Sequence, residues 1–449
     1  MNRAALAQLS KDELIALVEA LVSQVEQLSA RVADLEAKLN EPPKTPDNSS
    51  LPPSKGEKPN REERRKARRK GRPGVFRALT ETPDRTMDSY AETCPHCRHG
   101  LTASDQPDVH AYDHVELPPI RPLITRINRH RGVCPCCRRG FSAPVPDGLE
   151  PGSPFGPGLA ALILHLHVTQ AIGFERLVRL MDEVFGVTIS EGAIANIMAR
   201  AEAPMIAAAE QIAEEVRSAK VVASDETSAR VKGRTWWQLV LLSSTAVCHV
   251  IADTRSAKVV TGFLRGAVPE VWVADRYAGQ NGHGRVRQLC LAHLLRDAQY
   301  AVDEGDQAFA PAFKALLLRA VAIGRRRDRL KDGTLGQYRA DLDRRLDRLL
   351  AKPPKSRAAV KLFNAMRRAR DDLFRFITRR DLPYTNNGCE RALRPSVIFR
   401  KVTGCFRSLW GARLYAAAAS VIATGRIRGK SALDAISDVV APNPAPASP

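Results

Sequence analysis

Apolar side chains recur at heptad spacing between residues 11 and 39. Leu14, Leu21, Leu28 and Leu35 fill one seam position, and Val18, Val25, Val32 and Leu39 the other. A 3.5-residue repeat predicts a helix with a narrow apolar seam, and β-branched residues opposite leucine favour a parallel two-stranded coil. Pro42, Pro43, Pro46, Pro52 and Pro53 end that pattern. From Phe155 to Arg200 the period changes to that of buried helices, with Leu159, Leu162, Ile163 and Leu166, then Leu177, Leu180 and Met181, then Ile194, Ile197 and Met198. Gly186 breaks the second of these helices and Ser190 can cap the third, which reads as a helix-turn-helix with Asn196 and Arg200 as its evident outward contacts. Beyond residue 220 the period drops to that of strands. Strands are expected at Val221–Thr227, Thr235–Leu242, Ala246–Ala252, Glu270–Ala274 and Gln288–Leu291, with a crossover helix at Ala257–Leu264. Residues 411 to 425, rich in alanine, read as a terminal helix, and the chain closes in a Pro-rich tail from Pro442.

Strand, hairpin partner, third strand, crossover helix and fourth strand is the order of a ribonuclease H-like sheet, in which the first and fourth strands lie side by side. The first ends near Asp225 and Glu226, the fourth at Asp275. An Asp after an apolar run is by itself a turn or capping residue. Two of them at the ends of neighbouring strands would meet where ligands of α/β sheets gather. If the first strand continues, Glu226 faces away from Asp225, and Trp236 and Trp237 alternate across their strand.

Charge changes the picture of the remainder. The 449 residues carry a formal charge of +20, for which a polyanionic partner is the simplest physical reason. No apolar run is long enough to span a membrane, and Met1 to Lys11 lacks a signal core, so membrane insertion and secretion are not expected. The default is a bacterial-type cytosolic protein, with nucleic acid and an anionic membrane surface as the candidate partners. Between Lys55 and Arg77, 11 basic residues face 3 acidic ones, a segment too polar to fold alone. Its end, Lys70-Gly71-Arg72-Pro73-Gly74, suits an extended arm that lays Arg72 along a minor groove. Glu390 lies in an Asn386-Asn387-Gly388-Cys389-Glu390-Arg391 segment that can open a closing helix, and the 114 residues between Asp275 and Glu390 exceed what the sheet needs. Within them Arg319 to Arg380 holds 20 basic and 7 acidic residues, which predicts an inserted helical domain with a phosphate-facing surface. Arg391, Arg394, Arg400 and Lys401 follow Glu390 closely in sequence and are further candidates for holding DNA backbone.

Cys94-Pro95-His96-Cys97 and Cys134-Pro135-Cys136-Cys137 form two Cys-x-x-Cys knuckles separated by 36 residues. In a reducing compartment, Cys94, Cys97, Cys134 and Cys137 can give a structural Zn²⁺ four thiolates, although Cys136 leaves the register open. Val109 to Leu117 and Leu123 to Val133 are expected as hairpin strands between them. Cys290 and His293 have ligand spacing but make only half a site.

Ser224-Asp225-Glu226-Thr227, Asp275-Arg276-Tyr277-Ala278-Gly279, Cys290-Leu291-Ala292-His293 and Asn386-Asn387-Gly388-Cys389-Glu390-Arg391-Ala392-Leu393-Arg394-Pro395, in that order, resemble the insertion-sequence-66 family of bacterial transposases. Two positions depart from its usual pattern: Arg276 stands where glycine is common and Thr385 where an aspartate often precedes the asparagines. The resemblance implies Asp225, Asp275 and Glu390 as an Asp-Asp-Glu triad that holds two Mg²⁺ (or Mn²⁺) ions for cleavage and transfer of DNA strands. The implied partners are the terminal inverted repeats, target DNA, a second copy of the chain or a higher oligomer, and helper proteins of the same element, with no membrane among them and the protein nucleoid-associated. The alternative is a domesticated regulator that binds DNA without catalysis. The expected organisation is a leucine zipper (1–41), a basic disordered linker (42–80), a zinc-binding domain (81–148) and a helical domain (152–215). A ribonuclease H-like core (216–430) with a helical insertion at about 296–382 follows, then a terminal helix and tail (431–449).

Overall fold

A computed structural model describes residues 10–39, 41–49 and 77–440. The arm with Arg72 and the tail from Pro442 lie outside the described residues. The described chain forms two compact units, one holding 10–39, 41–49, 129–177 and 190–440, the other 77–128 and 178–189.

In the larger unit, helix α1 (Lys11–Leu39) carries the heptad seam, and its apolar residues are open to solvent: Leu21, Val25 and Leu28 are 51, 60 and 56% exposed. Where the expected linker begins, the chain is seated on the protein. Asn48 is buried, donates to Asp303 Oδ2 at 2.8 Å, and receives the Thr45 amide at 2.7 Å. A short hairpin pairs β1 (Arg131–Val133) with β2 (Gly140–Ser142). Helix α2 (Pro157–Gln170) opens with Pro at its first turn, where the missing N–H costs nothing. Helix α3 (Phe174–Phe185) begins in this unit. Helix α4 (Glu191–Arg217) starts at Ser190, whose hydroxyl accepts from the Ala193 amide at 3.2 Å. It is one continuous helix of 27 residues, longer than the expected recognition helix. Ile194, Ile197, Met198, Ala201 and Met205 bury its apolar stripe, which leaves Asn196 and Arg200 exposed; Arg200 donates to Ser153 Oγ at 3.0 Å.

The core is a five-stranded mixed sheet made of β3 (Val221–Val231), β4 (Arg234–Leu242), β5 (Val247–Ala252), β6 (Val271–Ala274) and β7 (Val286–Leu289), in the order β5-β4-β3-β6-β7. Helix α5 (Ala257–Leu264) makes the crossover at the expected residues. Strand β3 does not stop at Thr227. It runs eleven residues to Val231 because β4 pairs with it antiparallel along its whole second half, through Lys232-Gly233 at positive φ. Ala223, Val240, Val271, Val273 and Leu289 face one continuous apolar core shared with the inserted helices α6 (Leu291–Asp303), α7 (Phe309–Arg326), α8 (Asp332–Leu350) and α9 (Arg357–Arg368). Val222, Leu239, Leu241 and Trp272 are equally buried on the other face, as parallel strands require. Helix α10 (Asn387–Thr403) packs against β3, and α11 (Leu409–Ile427) against β5, α4 and α12 (Ala432–Val440). Edge strand β5 has no strand beyond it. Its Val247 and His249 amides donate instead to Thr424 Oγ1 (3.0 Å) and Ser420 Oγ (2.8 Å) of α11, which closes the edge.

In the smaller unit, the hairpin strands expected at Val109–Leu117 and Leu123–Val133 do not form; only Arg131–Val133, in the other unit, is a strand. Pro107, Pro118, Pro119 and Pro122 deprive that stretch of ladder donors. Val109, Tyr112, Leu117, Leu123 and Ile124 stay at least 79% exposed, with no buried face to hold a pleat. Thr80 gives both its amide and its hydroxyl to Asp113, each at 2.7 Å.

Candidate active site

The site is set by register. Val221, Val222 and Ala223 of β3 pair in parallel with Val271, Trp272 and Val273 of β6. Two residues further on, Asp225 and Asp275 stand level with one another, and alternation puts Asp225 on the face of Ala223 and Val240. Strand β6 ends at Ala274, so a crevice opens where Asp275 leaves the sheet. The Tyr277 amide donates to Asp275 Oδ1 at 2.8 Å and fixes that carboxylate in a local turn.

Glu390 arrives from the opposite end of the core sequence. It lies in the first turn of α10, where a carboxylate favours the positive end of the helix. Two bonds pin the start of that helix. Asn386 donates through Nδ2 to the Ser224 carbonyl at 2.7 Å, and its backbone amide reaches Cys290 Sγ at 3.1 Å. Glu390 Oε1 is 3.3 Å from Arg296 Nη2 of α6.

Asp275 and Glu390 both act electrostatically on Asp225. Burial, then the Asp275 carboxylate, then Glu226 and Glu390 push the Asp225 carboxyl up to about 8, against the Glu226 amide that donates to it at 2.9 Å. Glu226 is also raised, chiefly by burial, and is held by Gln280 Nε2 at 2.7 Å. Because β3 continues, Glu226 sits on the face opposite Asp225.

Three carboxylates without a thiolate among them are an oxygen-only donor set, which suits a hard divalent ion, and their mutual repulsion calls for positive charge between them. As the side chains lie, that charge comes from Arg296 at Glu390. No three His, Cys, Asp or Glu side chains among the described residues are gathered closely enough to hold a metal ion.

Other sequence candidates fall in different places. Arg391, Arg394 and Lys401 lie on the exposed side of α10. Arg400 does not: it is 8% exposed, and its guanidinium donates to the Ser228 carbonyl and, at 3.1 Å, to Thr227 Oγ1. Arg400 ties α10 to the second half of β3 and has no surface to offer DNA. Cys290 is buried, and burial raises its thiol. His293 faces Asp275, Arg296, Glu390 and Asp297, with burial lowering it, and its Nδ1 has no hydrogen-bond partner among the described residues. Each Cys-x-x-Cys knuckle is a tight turn. Cys94 O accepts from Arg98 N at 2.9 Å and Cys134 O from Arg138 N at 2.8 Å, with Arg98 and Arg138 left-handed at φ 60° and 58°. Amides of Cys97 and His96, and of Cys137 and Cys136, lower the Cys94 and Cys134 thiols. Cys137 rather than Cys136 is the side chain bonded to Cys134.

Sequence reading assigned no role to Asn386, Arg296 or Gln280. Asn386 alone carried a signal, an Asn just before a helix start, but its bond spans 162 residues and no local pattern reports that.

Fold and site together define an α/β core with Asp225 and Asp275 level on neighbouring strands and Glu390 in the first turn of a helix packed against β3. Residues 152–414 match the transposase IS66 family, and the chain belongs to that family. The match begins before α2, ends within α11, and includes all three acids. Residues 3–76 match a family of unknown function (DUF6444). No curated protein matches the chain.

Proposed function

We propose that this transposase binds the ends of its own mobile element, cuts DNA there and joins the freed end to target DNA, with Asp225, Asp275 and Glu390 as its catalytic acids on a ribonuclease H-like core. The parallel register that levels Asp225 with Asp275, beside a helix start pinned to Ser224, carries this reading. The strand order, with the first and fourth strands adjacent, supports the fold assignment.

Cutting is attack of water on phosphorus with the 3′ oxygen leaving, and joining is attack of that 3′ hydroxyl on a target-DNA phosphate, whose own 3′ oxygen leaves and takes up a proton. No protein nucleophile is needed. Divalent ions, Mg²⁺ or Mn²⁺ in two positions, supply stabilisation of the attacking and leaving oxygens when bound. Asp225 would be shared by both positions, with Asp275 and Glu390 each completing one. Burial and the neighbouring carboxylates raise the Asp225 carboxyl to about 8, so it would give up a proton on becoming a ligand. Arg296 neutralises Glu390 in the meantime and keeps it near the crevice.

DNA contacts fall to Arg391, Arg394 and Lys401 on the exposed side of α10 and to Arg72 in the arm. The inserted helices contribute less than their composition promises. Arg319 and Arg345 pair with Asp341, Arg339 with Asp343, Arg370 with Asp347 and Arg380 with Asp332. Arg325, Arg326, Arg329, Lys331, Arg344, Arg348, Lys352, Lys355, Lys361, Arg367 and Arg368 are the exposed remainder, in no ion pair among the described residues. Zinc on Cys94, Cys97, Cys134 and Cys137 and assembly through α1 complete the reading, with helper proteins of the element as further partners.

The test is a strand-transfer assay with DNA carrying the inverted repeats that flank the gene. The wild-type chain should give joined products in Mg²⁺, and Asp225→Asn, Asp275→Asn or Glu390→Gln should each lower cutting by about 10³-fold or more while DNA binding persists. Wild-type cutting by any of these variants removes that acid from the triad. Binding without cutting by the wild-type chain identifies a regulator instead.

A further inference from the structure

Arg255 lies in the turn between β5 and α5, and its guanidinium carbon is 4.6 Å from the ring centre of Trp237 and 4.3 Å from that of Tyr277. Trp237 pairs with Ser228 across β3 and β4, which puts it on the Glu226 face of the sheet. Tyr277 belongs to the turn that fixes Asp275. The arginine therefore bridges a central strand and the loop of a proposed catalytic acid. That loop is pressed close: a Cβ on Gly279 would stand 2.5 Å from the Tyr277 ring and 2.9 Å from the Arg255 carbonyl.

The other guanidiniums around the crevice are engaged. Arg276 donates to Asp297 at 2.5 and 3.0 Å, Arg296 to Glu390, and Arg400 to Ser228 and Thr227. The Arg255 guanidinium touches the two rings and makes no hydrogen bond or ion pair among the described residues. Glu226, whose carboxyl burial raises and the Arg255 charge lowers, is bonded to Gln280. Aromatic stacking holds a guanidinium in place while leaving its N–H edge free, and that planar fork matches the oxygens of a phosphate.

We propose that Arg255 is a phosphate clamp that grips a backbone phosphate of the DNA strand next to the scissile position, on the Glu226 side of the crevice, with Trp237 and Tyr277 orienting it. It rests on the transposase reading for its ligand and on the stacked, unpaired guanidinium for its place. Arg255 is a binding and positioning residue, since it stands on the far face from Asp225.

The probe is a short fluorescent duplex with a single-stranded tail, titrated against the full chain in buffer without divalent ions over a range of salt. Arg255→Ala should weaken binding about tenfold and flatten the slope of log K against log salt by about 0.7 to 0.9, the share of one phosphate. Arg255→Lys should keep the slope and lose a few-fold in affinity, and Trp237→Leu should do the same. A purely structural role would not move the slope. Unchanged slope and affinity in Arg255→Ala overturn the clamp, as does an equal drop in the exposed control Lys258→Ala. If Arg255→Ala shows its slope change but the wild-type chain neither cuts nor joins element ends, the transposase chemistry fails and the clamp stands. If Arg255→Ala binds like wild type while wild type transposes, the clamp alone fails.

Discussion

Asn386 donates through Nδ2 to the carbonyl of Ser224 at 2.7 Å, so the residue preceding helix α10 is fastened to the residue preceding Asp225. Both ends of that bond are buried, at 1% exposure each. One hydrogen bond thereby sets the distance between the strand that carries the first acid and the helix that carries the third.

Removing it should separate catalysis from binding. Asn386→Ala leaves the Ser224 carbonyl without its partner, a cost of about 1–3 kcal/mol in stability. It also frees the start of α10, and a misplacement of about 1 Å at Glu390 costs on the order of 10²-fold in rate. The expected result is a kcat for end cleavage lowered about 10- to 100-fold with affinity for end DNA unchanged. Equal losses in both would place Asn386 in DNA binding instead.

His249 gives a pH dependence outside the catalytic acids. Gln238 Nε2 can only donate, so His249 Nδ1 accepts its bond at 3.1 Å and the ring proton sits on Nε2. Burial pushes the imidazole down to about 4. The unfolded chain takes up a proton near pH 6.5 that the folded chain refuses until about 4. Stability from this residue is therefore full above pH 6.5 and lost as pH falls towards 4, by up to about 3 kcal/mol. His249→Gln should flatten the slope of unfolding free energy between pH 6.5 and 4.5, measured by urea denaturation. Parallel wild-type and variant slopes would show that His249 already carries its proton when folded.

The knuckles predict how zinc content responds to single cysteines. Backbone amides lower the Cys94 and Cys134 thiols towards the ligating form, while Cys136 is exposed beside the turn. Chain purified without chelator should hold about one zinc. Cys94→Ser and Cys134→Ser should each release most of it, and Cys136→Ser should retain it, as read by emission spectrometry. Zinc lost with Cys136→Ser would overturn the ligand register.

Much of the core was legible because its strands are apolar runs with clear ends. Helix α5, the start of β3 and the end of β6 fall where period and composition put them, and parallel pairing then brings Asp225 and Asp275 level without further information. The length of β3 was not legible. Asp225 to Arg230 is polar or small, and a strand that outruns its core has the composition of a turn; only the antiparallel partner β4 fixes it. Arg400 was misread for a different reason. Proximity to Glu390 in sequence does not put a side chain on DNA, because Cys389, Leu393, Ser396 and Arg400 recur at helical spacing on the buried side of α10. That phase was visible in the sequence. The pairing of Arg296 with Glu390, 94 residues apart, was not, because it depends on how the insertion packs.

Helix α1 gives the last prediction. Leu14, Val18, Leu21, Val25, Leu28, Val32 and Leu35 form a continuous seam, each at least 37% exposed. Seven such side chains on one narrow stripe are costly in water, and burying each is worth roughly 1.5–3 kcal/mol. A second copy of the same helix presents the matching stripe, with Val facing Val and Leu facing Leu in parallel register. The full chain should therefore sediment as a dimer or larger. Leu21→Asp with Leu28→Asp puts two charges into the seam, where unpaired charge is strongly disfavoured. That variant should sediment at half the mass or less and keep its thermal midpoint, because the α/β core has its own apolar interior. Loss of paired-end joining with single-end cutting intact would then tie assembly to the transfer step. A monomeric wild-type chain, or a dimer indifferent to both substitutions, would remove α1 as the assembling element.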